Sequence, residues 1–182
     1  MLNDDDDYMD DEMQSDQWKP FYQAHKKLSE KAREMFHLIL ALKESFSDKE
    51  LEEDHHHPYH LMMENITMAM AKLAGAKVME DLYHGLMENA VLIKVNMTEL
   101  NVQVFAAREF YNGDPTYLQV IKDELEEFRK LFIEWRNTFD SAKDQPDEWH
   151  LFNDPGSFPK DDEPFDPNEF LGGMNEDDDD DD

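Results

Sequence analysis

The chain has 182 residues and a formal net charge of −28 that is unevenly distributed: residues 1–16 contribute −8, residues 17–145 contribute −6 and residues 146–182 contribute −14. Affinity for phosphate comes from lysine and arginine side chains that release counterions, so this charge argues against direct binding of nucleic acid or of an anionic membrane. Cysteine is absent, which excludes disulfides, thiol nucleophiles and thiolate metal sites.

Residues 1–16 are predicted to be a disordered tail, because a run such as Asp4–Asp7 repels itself and buries no apolar area. The segment is acidic and lacks an apolar stretch, so it does not resemble a signal peptide. No stretch of the chain reaches the roughly eighteen apolar residues that a membrane span requires. We therefore expect a cytoplasmic protein.

Two helices are predicted in the first half of the folded region. The first runs from about Trp18 to Phe46 and keeps its apolar residues at helical spacing throughout. The polar connector 47–54 follows, with room for a short turn of its own. The second helix begins around His55–Pro58 and is expected to break at Gly75, because glycine costs about 1 kcal/mol relative to alanine inside a helix.

Two more helices are predicted in the second half. The third runs from about Met79 to Tyr111, and its inward face is predicted to comprise Leu82, Leu86, Ala90, Ile93, Met97, Leu100, Val104 and Ala107. The sequence 112–115, Asn-Gly-Asp-Pro, supplies a glycine, a capping aspartate and a proline at a first helical position. The fourth helix then extends to Phe139.

These elements predict an all-α fold, an antiparallel up-down-up-down four-helix bundle over residues 17–142. Proline, glycine and aspartate dominate residues 143–182, which are predicted to form a second disordered acidic tail ending in the run Asp177–Asp182. The aromatic residues of the fourth helix, Phe128, Phe132, Trp135 and Phe139, predict a thick apolar seam whose surplus would lie between subunits.

The histidine-rich sequence 55–60 is the most conspicuous polar cluster. His60 and Glu64 lie one helical turn apart, so together with His57 they are candidate ligands for zinc, nickel or copper. A solvent-exposed, histidine-rich helix entrance is the simpler interpretation, and we expect no metal or other cofactor.

A dinuclear carboxylate site would need two Glu-x-x-His pairs on different helices. Glu34 and His37 supply one such pair, and no second copy occurs. The chain also lacks a Gly-x-Ser-x-Gly nucleophile elbow and a glycine-rich phosphate loop. We therefore expect a protein that is not an enzyme and has no catalytic residues.

Trp149, Leu151 and Phe152 form an apolar island in the second tail. The island either folds back onto the bundle or is a short linear motif displayed for a partner protein, and it is the candidate partner-binding site. The acidic tails themselves are candidates for binding a basic protein.

The closing run of the second helix, residues 68–75, the long third helix that ends before Gly113, and the glutamate-rich fourth helix resemble a bacterial four-helix-bundle family. Its members are the proteins encoded in intervening sequences of large-subunit ribosomal RNA genes and the accessory variability-determinant proteins of diversity-generating retroelements. The resemblance covers roughly residues 18–139 and implies a homo-oligomeric ring, commonly a pentamer, without catalysis. The retroelement members look like basic rings that contact nucleic acid and a reverse transcriptase, and the acidic charge of this chain departs from them.

The sequence therefore predicts a non-enzymatic, homo-oligomeric scaffold or adaptor. A metal-binding bundle is the first alternative. An acidic mimic of nucleic acid that inhibits a basic protein is the second.

Overall fold

The computed structural model describes residues 19–145, 149 and 151, and within them the structure is helical and contains no β-strand. The all-α prediction is confirmed for this part of the chain. The predicted tail 1–16 lies outside the described residues, as does most of 143–182. The described residues form five α-helices, namely α1 (Lys19–Leu42), α2 (Asp48–Glu53), α3 (Pro58–Lys77), α4 (Tyr83–Phe110) and α5 (Pro115–Arg136), and 3₁₀ turns cover Lys43–Ser45 and Ser141–Lys143.

Local sequence explains where several helices begin. Ser47 caps α2 in a capping box, in which its hydroxyl accepts from the Glu50 amide and the Glu50 carboxylate accepts from the Ser47 amide. Asp114 caps α5 by accepting from two backbone amides, and Pro115 is the first residue of that helix. The predicted boundary at 112–115 is confirmed, although the residue with positive φ there is Asn112, at 52°.

The predicted break at Gly75 is wrong, because α3 continues through Gly75 to Lys77 and α4 begins only at Tyr83. A Cβ atom added to Gly75 would lie 3.7 Å from Oδ1 of Asn89 on α4, so the two helices approach closely at this glycine. The contact between α3 and α4 is the most extensive between any two helices of the described chain. Tertiary packing therefore outweighs the low helix propensity of glycine.

The four long helices pack in a cycle, in which α1 and α4 each contact both α3 and α5. Within this cycle the contact between α4 and α5 is the least extensive. The largest fully buried side chains between the helices are Trp135, Phe21, Phe128, Leu28, Met35, Ile39, Leu42, Met62, Ile66, Leu73, Leu86 and Ile93. Each contributes about 1.5–3 kcal/mol by leaving water, which makes this core the main source of stability.

A few polar contacts join helices that are distant in sequence. Lys31 Nζ of α1 lies 2.6 Å from a carboxylate oxygen of Glu124 on α5 and 2.6 Å from one of Glu34. The Tyr22 hydroxyl donates to the Glu80 carboxylate in the connector between α3 and α4. These contacts hold α1 against its neighbours.

The chain divides into two units, residues 1–145 and residues 146–182. All five helices belong to the first unit, whereas the described residues of the second are Trp149 and Leu151. No helix in the described part is both long enough and apolar enough to cross a membrane.

Candidate functional site

The outer face of α4 carries a row of apolar side chains that the fold leaves in contact with solvent. Val91, Val95, Thr98, Val102 and Phe105 follow one another at spacings of four and three residues, so they lie along one side of the helix. The four apolar members are 42–59% exposed. These five residues are referred to below as the outer stripe.

Helix α4 is apolar on two opposite sides. Its inner side is buried in the core and comprises Leu86, Ala90, Ile93, Met97, Leu100, Val104 and Ala107. At about 100° per residue, the outer stripe lies roughly half a turn away from these residues. Single exposed apolar residues are normal on protein surfaces, but a contiguous row over four helical turns marks an interaction surface.

A groove runs beside the outer stripe, between α4 and α5. It encloses about 710 Å³, and it is open because these two helices make the least extensive contact in the cycle. Its apolar lining residues are Met97, Leu125, Phe128, Phe132 and Ile133. Its charged lining residues are of both signs, Lys94, Lys122 and Arg129 together with Asp123 and Glu126. Thr98 belongs to both the groove and the outer stripe.

His57, one of the three candidate metal ligands, lies at the start of α3 as a buried cap. Its Nδ1 accepts a hydrogen bond from the Tyr59 amide at 3.2 Å. The ring packs edge to face against Phe46 and Tyr111, with centroids 4.5 and 4.6 Å away. Burial lowers the pKa of His57, and the carboxylate of Asp54 acts in the opposite direction. The imidazole therefore caps the start of α3 and fills the space between Phe46 and Tyr111.

The other two candidate metal ligands have separate surroundings. His60 Nε2 lies 2.8 Å from the Leu51 carbonyl oxygen, which accepts a hydrogen bond from it. Glu64 is exposed on α3. In the described portion of the chain, no three His, Cys, Asp or Glu side chains are placed so that they could hold a metal ion. The structure does not gather His57, His60 and Glu64 into such a set.

The residues considered for a dinuclear site also point away from the core. Glu34 and His37 are both exposed on α1, and the Glu34 carboxylate is paired with Lys31. Their neighbour Met35 is fully buried. The Glu34–His37 pair therefore lies on the solvent side of the helix.

A second buried histidine, His25 on α1, joins α1 to α3. Its Nε2 donates to the Leu73 carbonyl oxygen at 2.9 Å, and its ring stacks on Phe21 with centroids 5.9 Å apart. Burial lowers the pKa of His25, the hydrogen bond to Leu73 opposes this, and Lys77 lowers the pKa further. The His25 imidazole is thus a structural link between α1 and α3.

The apolar island of the second tail is described at two positions. Trp149 is 88% exposed and Leu151 is 66% exposed. Phe152 lies outside the described residues. Both interpretations of the island, a cover for the bundle and a motif for a partner, stay predictions.

The aromatic residues of the apolar seam predicted on the fourth helix are buried in the core or packed against it. Phe128 and Trp135 are buried, while Phe132 and Phe139 are partly buried and pack against the core. The exposed large apolar residues of α5 are Tyr117, Val120 and Ile133, but the longer row of such residues lies on α4. Its signal was present in the sequence as the second row of spacings four, three, four and three from Val91 to Phe105.

No protein-family model, no curated protein and no solved structure matches the chain.

Proposed function

We propose that the protein is a non-enzymatic scaffold in which the four long helices form an antiparallel up-and-down bundle. The contacts between the helices support this arrangement, because α1 packs against α3 and α5, and α4 also packs against α3 and α5. The connector from α4 to α5, residues 111–114, is short enough to favour antiparallel neighbours. Helix α2 belongs to the connector between α1 and α3.

Copies of this bundle assemble through the outer stripe of α4, and this stripe is the observation that carries the proposal. A helix that is apolar on opposite sides is normally covered on both. The inner side is covered by α3 and α5, whereas Val91, Val95, Val102 and Phe105 are exposed. Packing these side chains against another copy would remove apolar area from water at about 25 cal/mol per Å².

The buried polar groups favour a structural role over a catalytic one. His25 and His57 are engaged with backbone groups and aromatic rings of the core. A general base needs a titratable group within reach of a substrate, and these two imidazoles face the protein interior.

The acidic tails provide a second surface for the scaffold in this proposal. Residues 1–16 and 146–182 carry −8 and −14 of the net charge, which favours a basic protein partner over nucleic acid. The alternative of a nucleic-acid mimic depends on these segments alone. It predicts that a chain lacking both tails loses the basic partner, whereas the scaffold still assembles without them.

The test is the subunit count of the untagged chain at micromolar concentration, measured by sedimentation equilibrium. We expect an oligomer for the unaltered protein and a monomer for the variant Val95→Glu/Val102→Glu, because it places charge within the outer stripe. The matched control is Thr67→Glu/Ala74→Glu, which adds two charges at the same seven-residue spacing on an exposed side of α3. A monomeric unaltered protein would overturn the proposal.

A further inference from the structure

The outer stripe has the spacing of a coiled-coil seam. Its steps of four, three, four and three place Val95 and Val102 at a positions and Val91, Thr98 and Phe105 at d positions of a heptad. The buried residues Ile93, Leu100 and Ala107 then occupy the f positions, directly opposite the seam. One helix thus presents a core face and a seam on opposite sides.

The residues that flank this seam differ in charge on its two sides. The g positions are Met87, Lys94 and Asn101, and the e positions are Leu92, Glu99 and Ala106. Lys94 and Glu99 are exposed, and neither makes an ion pair with any residue in the described part of the chain. The seam therefore has one unpaired positive flank and one unpaired negative flank.

In a parallel, in-register pair of helices, each g residue packs beside the e residue that lies five positions further along the other helix. This rule brings Lys94 to the partner's Glu99, with opposite charges. It also brings Met87 to the partner's Leu92, which are both apolar, and Asn101 to the partner's Ala106, which carry no charge. All three flanking pairs are compatible.

In an antiparallel pair of helices, e positions lie beside e positions and g positions lie beside g positions. Centred on Thr98, it would bring Glu99 close to the partner's Glu99, while Lys94 would face the partner's Asn101. Like charges placed together disfavour an arrangement. The flanking charges therefore favour the parallel pair over this antiparallel register, whereas Glu88 and Glu109, at the outer a positions, each lie beside their own counterpart in the parallel pair.

We propose that a second copy of this chain packs its α4 outer stripe against the first in parallel and in register, with Lys94 paired to the partner's Glu99. This inference depends on the proposed function, since it adds the orientation of the two helices at the surface named there. Each subunit uses the same patch, so the interface is isologous and closes as a dimer. A ring of subunits would need two different surfaces.

Disulfide trapping tests the orientation cleanly, because the chain has no cysteine. Two positions can be bridged only when their Cα atoms approach within about 7 Å. Val91 and Phe105 are separated by about 21 Å along the helix, at about 1.5 Å per residue over the intervening positions. We expect Val91→Cys alone and Phe105→Cys alone each to give a disulfide-linked dimer on mild oxidation.

The control is Thr67→Cys, on an exposed side of α3, which is expected to stay unlinked. If Val91→Cys and Phe105→Cys link only when the two proteins are mixed, the helices are antiparallel and the inference is overturned. If the unaltered protein is oligomeric but neither variant links, or if it is a pentamer, the parallel pair does not form and the inference fails. The proposed function still stands in that case provided that Val95→Glu/Val102→Glu gives a monomer, and it fails too if that variant stays oligomeric. A monomeric unaltered protein would overturn both.

Charge reversal gives an independent readout. Lys94→Glu and Glu99→Lys are each expected to weaken dimerisation roughly fivefold to tenfold, because two symmetry-related pairs are lost. Combining the two substitutions restores opposite charges and is expected to restore the dimer. Equal weakening by the single and double variants would contradict the proposed pair.

Discussion

The rings of His57 and Tyr111 lie nearly perpendicular to one another, with centroids 4.6 Å apart, and so connect the start of α3 to the residue that follows α4. Phe46 packs on His57 in the same manner at 4.5 Å. The Tyr111 hydroxyl donates to Asp54 at 3.0 Å, and this hydrogen bond raises the pKa of Tyr111. These contacts hold residues 46–57 against the C-terminal end of α4.

His57→Ala is expected to destabilise the protein by about 2–4 kcal/mol, because it removes a helix cap and leaves a cavity among aromatic rings. The free energy of unfolding from urea titration measures this loss. The neighbour His56 is exposed, so His56→Ala is the control and should change stability by less than about 0.5 kcal/mol. Equal effects of the two substitutions would show that the buried contacts of His57 do not stabilise the fold.

Stability is expected to fall as the pH is lowered through the range in which the unfolded histidines titrate. Burial lowers the pKa of His25 and His57 below the ordinary value of 6.5. The folded state takes up protons at these two rings less readily than the unfolded chain does, so the stabilisation is present above the unfolded pKa of 6.5 and is lost as the pH falls towards the folded pKa values. Urea unfolding between about pH 7.5 and about pH 5.5 measures the change.

His25→Gln separates this effect from the general response of an acidic chain. Glutamine keeps a donor for the Leu73 carbonyl but does not titrate. The variant is therefore expected to lose less stability than the unaltered protein over the same pH interval. An identical pH dependence for the two proteins would contradict the assignment to His25.

Two glycines should respond in opposite directions to substitution by alanine. A Cβ on Gly113 would lie 3.0 Å from Leu118 Cδ1 and 3.2 Å from both the Ala107 carbonyl oxygen and Phe46 Cζ. Gly113→Ala is expected to cost about 1–3 kcal/mol through overpacking. Gly75→Ala places its Cβ no closer than 3.7 Å to Asn89 Oδ1, and it should stabilise the helix by about 0.5–1 kcal/mol. Thermal unfolding of both variants measures the contrast, and a stable Gly113→Ala would contradict the close packing.

Lys31 and Glu124 should show a measurable energetic coupling. Their side chains are 19% and 28% exposed, and the hydrogen bond to Glu124 is the main reason why the pKa of Lys31 is raised. A double-mutant cycle with Lys31→Met and Glu124→Gln is expected to give about 0.5–1 kcal/mol, decreasing with added salt. The exposed pair Lys130 and Glu127 on α5 is the control and should couple more weakly. Equal coupling energies for the two pairs would show that the partial burial of Lys31 and Glu124 does not strengthen their interaction.

The sequence predicts those features of the fold that depend on local chemistry. Asp114 and Pro115 mark the start of α5, because a capping carboxylate and a fixed φ act within one helical turn. The inner face of α4 follows from helical periodicity alone. The break predicted at Gly75 is wrong because helix propensity is a local property, whereas α3 as a whole is held by its packing against α4.

The surroundings of the histidine cluster at 55–60 are harder to predict, again because they depend on contacts with residues distant in the sequence. Four histidines lie close together in the chain between residues 55 and 60, with Pro58 and Tyr59 among them, and that pattern indicates shared ligands. The fold instead exposes His55 and His56 and buries His57 against Tyr111, which lies 54 residues away. The outer stripe was readable from residue spacing, but only the structure shows which of the two apolar sides of α4 the core covers.

Native mass spectrometry of the untagged chain tests the central claim most directly, because one spectrum reports subunit count and bound metal together. We expect a metal-free homo-oligomer that dissociates in the variant Val95→Glu/Val102→Glu and persists in Thr67→Glu/Ala74→Glu. A monomer at micromolar concentration, or a chain that carries stoichiometric metal, would contradict the account of this protein as a scaffold assembled through α4.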